Sequence, residues 1–523
     1  MKKLFMLVAL ALIPGTAQAT WKEATSRNFV LYSEASEESL QKTVSDLEKY
    51  WFMLHFISGA KPSKTAPKIK IYMMANMDAV QATMPYGGGA AGYYTATPRG
   101  PIAVGIRQST GGKHGLSAQT VLFHELAHHF MLQYFPAAYP VWYVEGFADY
   151  YGTARILDKD VIEVGHGLAN RYLSFVDNEW IPLEKLLAAR SYSDVNDIHL
   201  LYSQGWMLVH YLANNSARRG QLQRYLDAIN AGTSYEQARD QAFGPGAKEL
   251  NAELRSYSRR RRIMALSLPF KPIDVGAITV RVMSAAEDGL VKHDIMIGSG
   301  LPRSFARKFA DEVRPIAGRF PGDPFAVKIL LEAERAAGNR AAATALAERW
   351  LALEPDAPQA LMHKAELQIE ALREARSSDT AAWDAARKMI LAANKKAPGD
   401  PQILVAYYNS FTSAGLLPPP GAQNALFAAF ERVPQDQKLR HMVAADFEAR
   451  DMITAAIAVI KPVALELHDG EQNERQKAKA DALAEKYREV GDNRVETARE
   501  MLARLEKKLA DAGGKDPVAL ADK

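Results

Sequence analysis

A short proline-bounded mark recurs through the last third of the chain. It reads Pro-Gly-Asp-Pro at 321–324, Pro-Asp-Ala-Pro at 355–358, Pro-Gly-Asp-Pro at 398–401 and, more faintly, Pro-Gln-Asp-Gln at 434–437. The offsets are 34, 43 and 36 residues. Between the marks lie paired alanine-rich stretches, such as residues 325–337 and 341–353 with Gly338 between them. A period near 34 with one helix pair per unit and proline at each junction predicts tetratricopeptide-like repeats over residues 316–465. Such units bury their apolar faces only by stacking on neighbours, which constrains this region to an extended all-α array. A plain antiparallel helix bundle is the competing arrangement. The 43-residue offset predicts a longer loop around residues 376–380. Residues 466–523 read as charged helices with a frayed tail.

The first half has a different texture. Residues 28–33 and 68–74 read as strands, the second alternating polar and apolar as a half-buried strand does. Residues 36–57 read as a helix capped by Ser36, with Glu37 and Glu38 in its first turn. Two further strands fit at 92–95 and 102–106, after a glycine-rich loop at 87–92. No helix opens directly after those glycines, which argues against a phosphate cradle. From 117 to 258 the pattern is helical: 117–135, 140–156, 199–214, 218–230, 234–242 and 247–262. The arginine run 259–262 fits a solvated helix C-terminus. A connecting segment at 271–315 contains a strand at 277–283 whose partner the sequence does not identify. The fold class expected is α+β over residues 20–270, followed by the all-α repeats.

The first nineteen residues predict a secretory signal peptide. Lys2 and Lys3 precede an apolar run at 4–13, Pro14 and Gly15 break it, and Ala17 and Ala19 stand at the cleavage positions. The run is too short to span a bilayer. The mature chain is therefore expected to begin at Thr20 and to work in the periplasm or outside the cell. The chain has no cysteine, so disulfides and thiolate metal ligands are excluded, and any metal site must use His, Asp and Glu. Lys and Arg number 64 against 60 Asp and Glu, leaving no general attraction for nucleic acid or anionic membrane.

One stretch carries chemistry: His124, Glu125, Leu126, Ala127 and His128, followed by His129. Positions four apart lie on one helix face, so His124 and His128 can point at one metal ion while Glu125 reaches a water on it. The motif falls on an apolar helix, where charge is costly unless paired or metal-bound. Zinc sites of this kind need a third protein ligand, and Glu145 follows on the next helix. Asp149, one turn further, is placed to accept the free N–H of a ligand histidine.

The His-Glu-Leu-Ala-His-His run, with Pro140, Trp142, Glu145, Gly146, Ala148 and Tyr150, resembles the gluzincin metallopeptidases, and within them the bacterial peptidase MA-like family. The resemblance covers residues 20–260, from Trp21 to the Gly232, Ser234 and Ala238 pattern of a late helix. It implies a small mixed sheet packed on the active-site helix, then a helical subdomain. It also implies one Zn2+ per chain held by His124, His128 and Glu145, with Glu125 as general base and Asp149 orienting His124. Peptide hydrolysis by zinc-activated water follows from that set. The oxyanion needs a further donor, for which Tyr202 is the first candidate and His210 the second. His129 reads as packing, and His114 and His166 have no motif support. The strand at 102–106 is expected to be a sheet edge that pairs with extended substrate. Partners would be a protein or peptide substrate and a protein docked on the repeats. Two other readings compete: a non-catalytic repeat protein with a structural zinc, and a zinc hydrolase acting on a non-protein amide. An intact Glu125 argues against the first of these, because a structural site needs no base.

Overall fold

The computed structural model describes residues 20–85, 91–109, 117–167, 171, 179–190, 194–260, 263–464, 496–514 and 516. The signal peptide, His114, most of the glycine-rich loop and most of the charged segment after 465 lie outside the described residues.

The chain opens with strands β1 (Lys22–Thr25) and β2 (Phe29–Ser33), then helix α1 (Glu37–Ser58). The Ser36 side chain accepts the Ser39 N–H at its start, and Gly59 closes it at φ 71°. Next come β3 (Ile69–Met74), the short α2 (Met77–Gln81), β4 (Gly92–Thr97) and β5 (Gly100–Ile106). Helices α3 (Ala118–Tyr134) and α4 (Val141–Gly152) follow. The expected helix to residue 156 stops at Gly152, and the chain turns into β6 (Arg155–Leu157) and β7 (Val161–Val164). Helices Leu183–Ala188, Ile198–Asn214, Gln221–Asn230, Tyr235–Phe243 and Lys248–Ser258 complete this part, before β8 (Leu266–Pro269) and β9 (Thr279–Val282).

The main sheet is mixed, in the order β4-β5-β3-β2-β1-β9. Strands β2, β3 and β5 run parallel, while β4, β1 and β9 pair antiparallel. Strand β5 therefore lies between β3 and β4, so the expectation that it forms a sheet edge is corrected: the edge on this side is β4, and β9 is the other. Every residue of β5 is buried, which fits an interior strand covered on both faces. Leu31, Ile71 and Ala103 share a core with α1 and α3. On the opposite face, Tyr72, Met74, Ile102 and Val104 pack with Val291 and Ile295 of helix Ala285–Gly298. Strand β3 is thus buried on both faces rather than half-buried, and Lys70 is its one charged side chain. A second sheet, β6-β7-β8, is not expected from the sequence; its strands are three or four residues long, too short for an alternation signal, and only the central β7 sends side chains, Ile162 and Val164, fully into the core.

Helix pairs then follow one another. After Ala285–Gly298 and Ala306–Ala317 come Pro324–Ala336 with Arg340–Leu353, Pro358–Glu374 with Thr380–Lys396, and Pro401–Thr412 with Pro420–Arg432. Gln437–Ala449 with Ile453–Ala464 is the last pair, and Ala498–Asp511 packs on it. The recurring marks open the first helix of each pair. Pro324, Pro358 and Pro401 take the first helical position, where the missing N–H costs nothing, and Asp323, Asp400 and Asp436 cap with their side chains. The long offset arises mainly from helices of 17 residues each, against 13 and 14 in the preceding pair, rather than from the expected loop. No helix among the described residues is long and apolar enough to cross a membrane.

Candidate metal centre

Helix α3 is capped by Ser117, which accepts the Thr120 N–H, and is buried along most of its length. Its neighbour α4 runs close beside it, because Gly152 leaves no Cβ between the two backbones. A Cβ there would stand 3.1 Å from the Cα, Cβ and N of His124. The other side of α4 crosses helix Ile198–Asn214 at two glycines. A Cβ on Gly146 would lie 2.4 Å from the Gly205 carbonyl oxygen, and one on Gly205 would lie 2.5 Å from the Trp142 carbonyl oxygen. One stretch of α4 therefore supplies a carboxylate at Glu145, a helix crossing at Gly146, a second carboxylate at Asp149 and another close approach at Gly152.

This crossing predicts a large response to a single methyl group. Gly146→Ala forces two helix backbones apart and should cost about 3 kcal/mol, at the upper end for overpacking. A chemical denaturation curve checks it, and a midpoint equal to wild type would show that the crossing yields without strain.

The crossing brings three donors together. His124 Nε2 and His128 Nε2 lie 3.0 Å apart, and Glu145 Oε2 is 3.4 Å from the first and 3.6 Å from the second. Four-coordinate zinc, with ligands at about 2.0–2.2 Å, sets neighbouring ligand atoms about 3.3 Å apart. The three separations bracket that value, and two imidazoles with one carboxylate suit zinc, so the residues present fit the ion. His128 and Glu145 are buried, while 15% of the His124 side chain is exposed, which leaves one side of the group open. Among the described residues these are the three that converge in this way.

The surroundings fix the ring and the charge. His124 Nδ1–H donates to Asp149 Oδ1 at 2.9 Å, which fixes the ring with Nε2 turned toward the group. Burial opposes a charge on His124, but Asp149 and Glu145 outweigh it and push the imidazole pKa up to about 10. This pocket attracts positive charge. Burial also opposes ionising Asp149, yet Arg171 and the His124 hydrogen bond prevail and hold its carboxyl below the usual range. Arg171 Nε donates to Asp149 Oδ2 at 2.8 Å, and its guanidinium lies 4.4 Å above the Tyr202 ring. The sequence reading missed Arg171, because no local spacing ties it to α4. Glu125 is half-buried beside His124.

Tyr202, on helix Ile198–Asn214, stands near the group, with its ring centroid 6.4 Å from that of His124 and the planes 25° apart. His210, about two turns further along the same helix, is fully buried and shares a hydrogen bond with Tyr257 Oη at 2.8 Å. Burial pushes its imidazole pKa down to about 4. It is a core residue, and the second candidate for the oxyanion donor is corrected on that ground. His166 sits by Glu163, 3.0 Å away, outside the group. His129 points away from the group, stacks on Trp51 and contacts Tyr94 Oη at 2.7 Å. Burial drives its pKa down to about 3. The Gln435 side chain, from the fourth proline mark, reaches His129 Nδ1 at 3.2 Å and also donates to Gln133. The end of the repeat array thus touches the reverse face of α3.

No protein-family model matches the chain, and no curated protein matches it. Among solved structures it is similar to a thermophilic TPR protein of Thermus thermophilus, at 15% identity and TM-score 0.30, covering 38% of this chain and 98% of that one. It is also similar to Pseudomonas aeruginosa pilF, at 13% identity and TM-score 0.28, covering 46% of this chain and 100% of that one. The MamA RS-1 ArsTM double mutant aligns at 16% identity and TM-score 0.25, covering 35% of this chain and 95% of that one. The repeat architecture itself rests on the helix pairs described above.

Proposed function

We propose that the chain is an exported zinc metallopeptidase of the gluzincin type, with one Zn2+ held by His124, His128 and Glu145. The observation that carries this reading is the convergence of those three donors beside Glu125. When bound, zinc supplies Lewis acidity, lowering the pKa of a water and polarising a carbonyl. Glu125 is the general base: its carboxylate accepts the proton of the attacking water and returns it to the leaving amine. Asp149 keeps the His124 proton on Nδ1 and is itself held in place by Arg171. The Tyr202 hydroxyl is the donor proposed for the oxyanion. An extended substrate adds along β4, the edge strand beside α3. The helical repeats hold a protein substrate or partner.

The test uses full-length mature protein, zinc-loaded or chelated, incubated with a complex peptide mixture and read by mass spectrometry. The expected result is about one zinc per chain, new termini only with the loaded protein, and sharply weaker zinc binding in Glu145→Ala, because no cysteine can replace a lost ligand. Zinc-loaded protein that yields no new termini would sink the peptidase reading, and full zinc retention in Glu145→Ala would remove that residue from the ligand set.

A further inference from the structure

A cavity of about 700 Å³ lies between the first part of the chain and the repeats, away from the metal-binding group. Lys64, Lys70 and Arg99 line it from one side, and Lys328, Trp350 and Arg432 from the other. The second wall is built at the repeat junctions: the run at 397–401 lies between two helices, with the third proline mark inside it, and Arg432 ends a helix.

The charges are unevenly matched. Arg99 pairs with Glu332 and, at 3.1 Å, with Asp294. Asp294 also accepts from Tyr72 Oη at 3.0 Å and lies 3.8 Å from Lys328 Nζ, while Glu332 faces His363 at 3.4 Å. These two carboxylates are therefore fully engaged. Asp400, the one carboxylate in the lining, is engaged as well: it caps the Gln402 N–H and accepts from Gln359, each at 2.9 Å. Among the described residues, Lys64, Lys70 and Arg432 make no ion pair. Arg432 donates only to the Ala428 carbonyl of its own helix and lies flat against Gly399, whose φ of 81° and missing side chain make room for it. Lys70 stands on a central strand, partly buried, with no hydrogen-bond acceptor among the described residues. A partly buried ammonium that makes no direct ion pair, and shares the charges of Asp294 and Glu332 with Arg99 and Lys328, is costly unless something adds negative charge. Burial holds its pKa below the ordinary value, although Asp294 pulls the other way, and a bound anion would restore it.

We infer that this cavity binds an acidic peptide segment, whose carboxylates meet Lys64, Lys70 and Arg432 while its apolar atoms lie against Trp350, Pro67 and Pro398. The cavity is within the size range of ligand sites and far larger than one inorganic anion. Its mixed lining of prolines, an indole and cations matches a peptide better than a bare phosphate. The inference does not depend on the peptidase reading, since the cavity shares no residue with the metal-binding group.

The experiment measures binding of fluorescein-labelled hexaglutamate to the full chain by anisotropy, in the Glu125→Gln background so that the probe is not consumed. A neutral glycine–serine hexapeptide, hexalysine and inorganic phosphate are the comparison ligands. Hexaglutamate should bind at least about tenfold more tightly than the neutral peptide, with affinity falling as salt rises past about 0.1 M. The double variant Lys70→Met, Arg432→Gln should lose about tenfold or more, while Lys70→Arg and the distant Lys388→Gln keep affinity. Should the double variant fail to fold, Arg432→Gln alone carries the same expectation at smaller size, because its side chain ends a helix. Equal affinity for hexaglutamate and the neutral peptide would overturn the inference, as would unchanged affinity in the variants. Displacement of the peptide by phosphate at matching affinity would also overturn it, because the occupant would then be a small anion.

Discussion

Glu125→Gln is expected to lower peptide hydrolysis by about a hundred- to ten-thousand-fold, the range in which general acid–base catalysis contributes, while zinc affinity and the thermal transition stay unchanged. The amide keeps the shape and polarity of the carboxylate but cannot accept a proton. Glu125 is not among the three converging donors, so its loss leaves the metal-binding group intact. It is half-buried rather than a core residue, so the amide should not disturb packing. Single-turnover kinetics on a peptide cleaved by wild type, beside a zinc titration, separate the two effects. Cleavage at the wild-type rate would remove Glu125 from the mechanism, whereas lost zinc binding would make it a structural residue.

Truncation at Pro272 is expected to abolish folding, not merely to change specificity. The cut removes β9, which pairs with β1 from Lys22 opposite Val282 to Thr25 opposite Thr279. It also removes helix Ala285–Gly298, the cover over Tyr72, Met74, Ile102 and Val104. Each large side chain returned to water costs about 1.5–3 kcal/mol. Uncovering four such residues therefore costs about 10 kcal/mol, comparable with the about 5–15 kcal/mol that holds a typical domain. Two polar ties go as well, from Trp21 N–H to Asp288 at 2.8 Å and from Tyr72 Oη to Asp294 at 3.0 Å. A chain ending after Gly338 keeps β9, the covering helix and both partners of Arg99, and should retain a cooperative transition. Circular dichroism melts with a dye that reports exposed apolar surface compare the two. A cooperative melt of the Pro272 chain at the wild-type temperature would show that the sheet needs no cover from downstream.

The need for that distant cover is invisible to any local pattern. The sequence alone places His124 and His128 on one helix face, because four residues make nearly one turn of any α-helix. It also marks each repeat, because proline and aspartate act at a helix start through contacts two or three residues away. Glu145 and Asp149 are legible for a similar reason, being one turn apart on the next helix.

The rest depends on which surfaces meet. Strand β9 finds β1 although every helix of the metal-binding part lies between them in the chain. Arg171 reaches Asp149 from a segment that shares no periodicity with α4. Gln435 lies against His129 although 306 positions separate them. Helical periodicity and capping are written within a turn or two of the residues that show them. Strand order, the close approach at Gly146 and Gly205, and the cationic cavity arise from non-local packing, where the partner of each residue is set by the shape of the whole core.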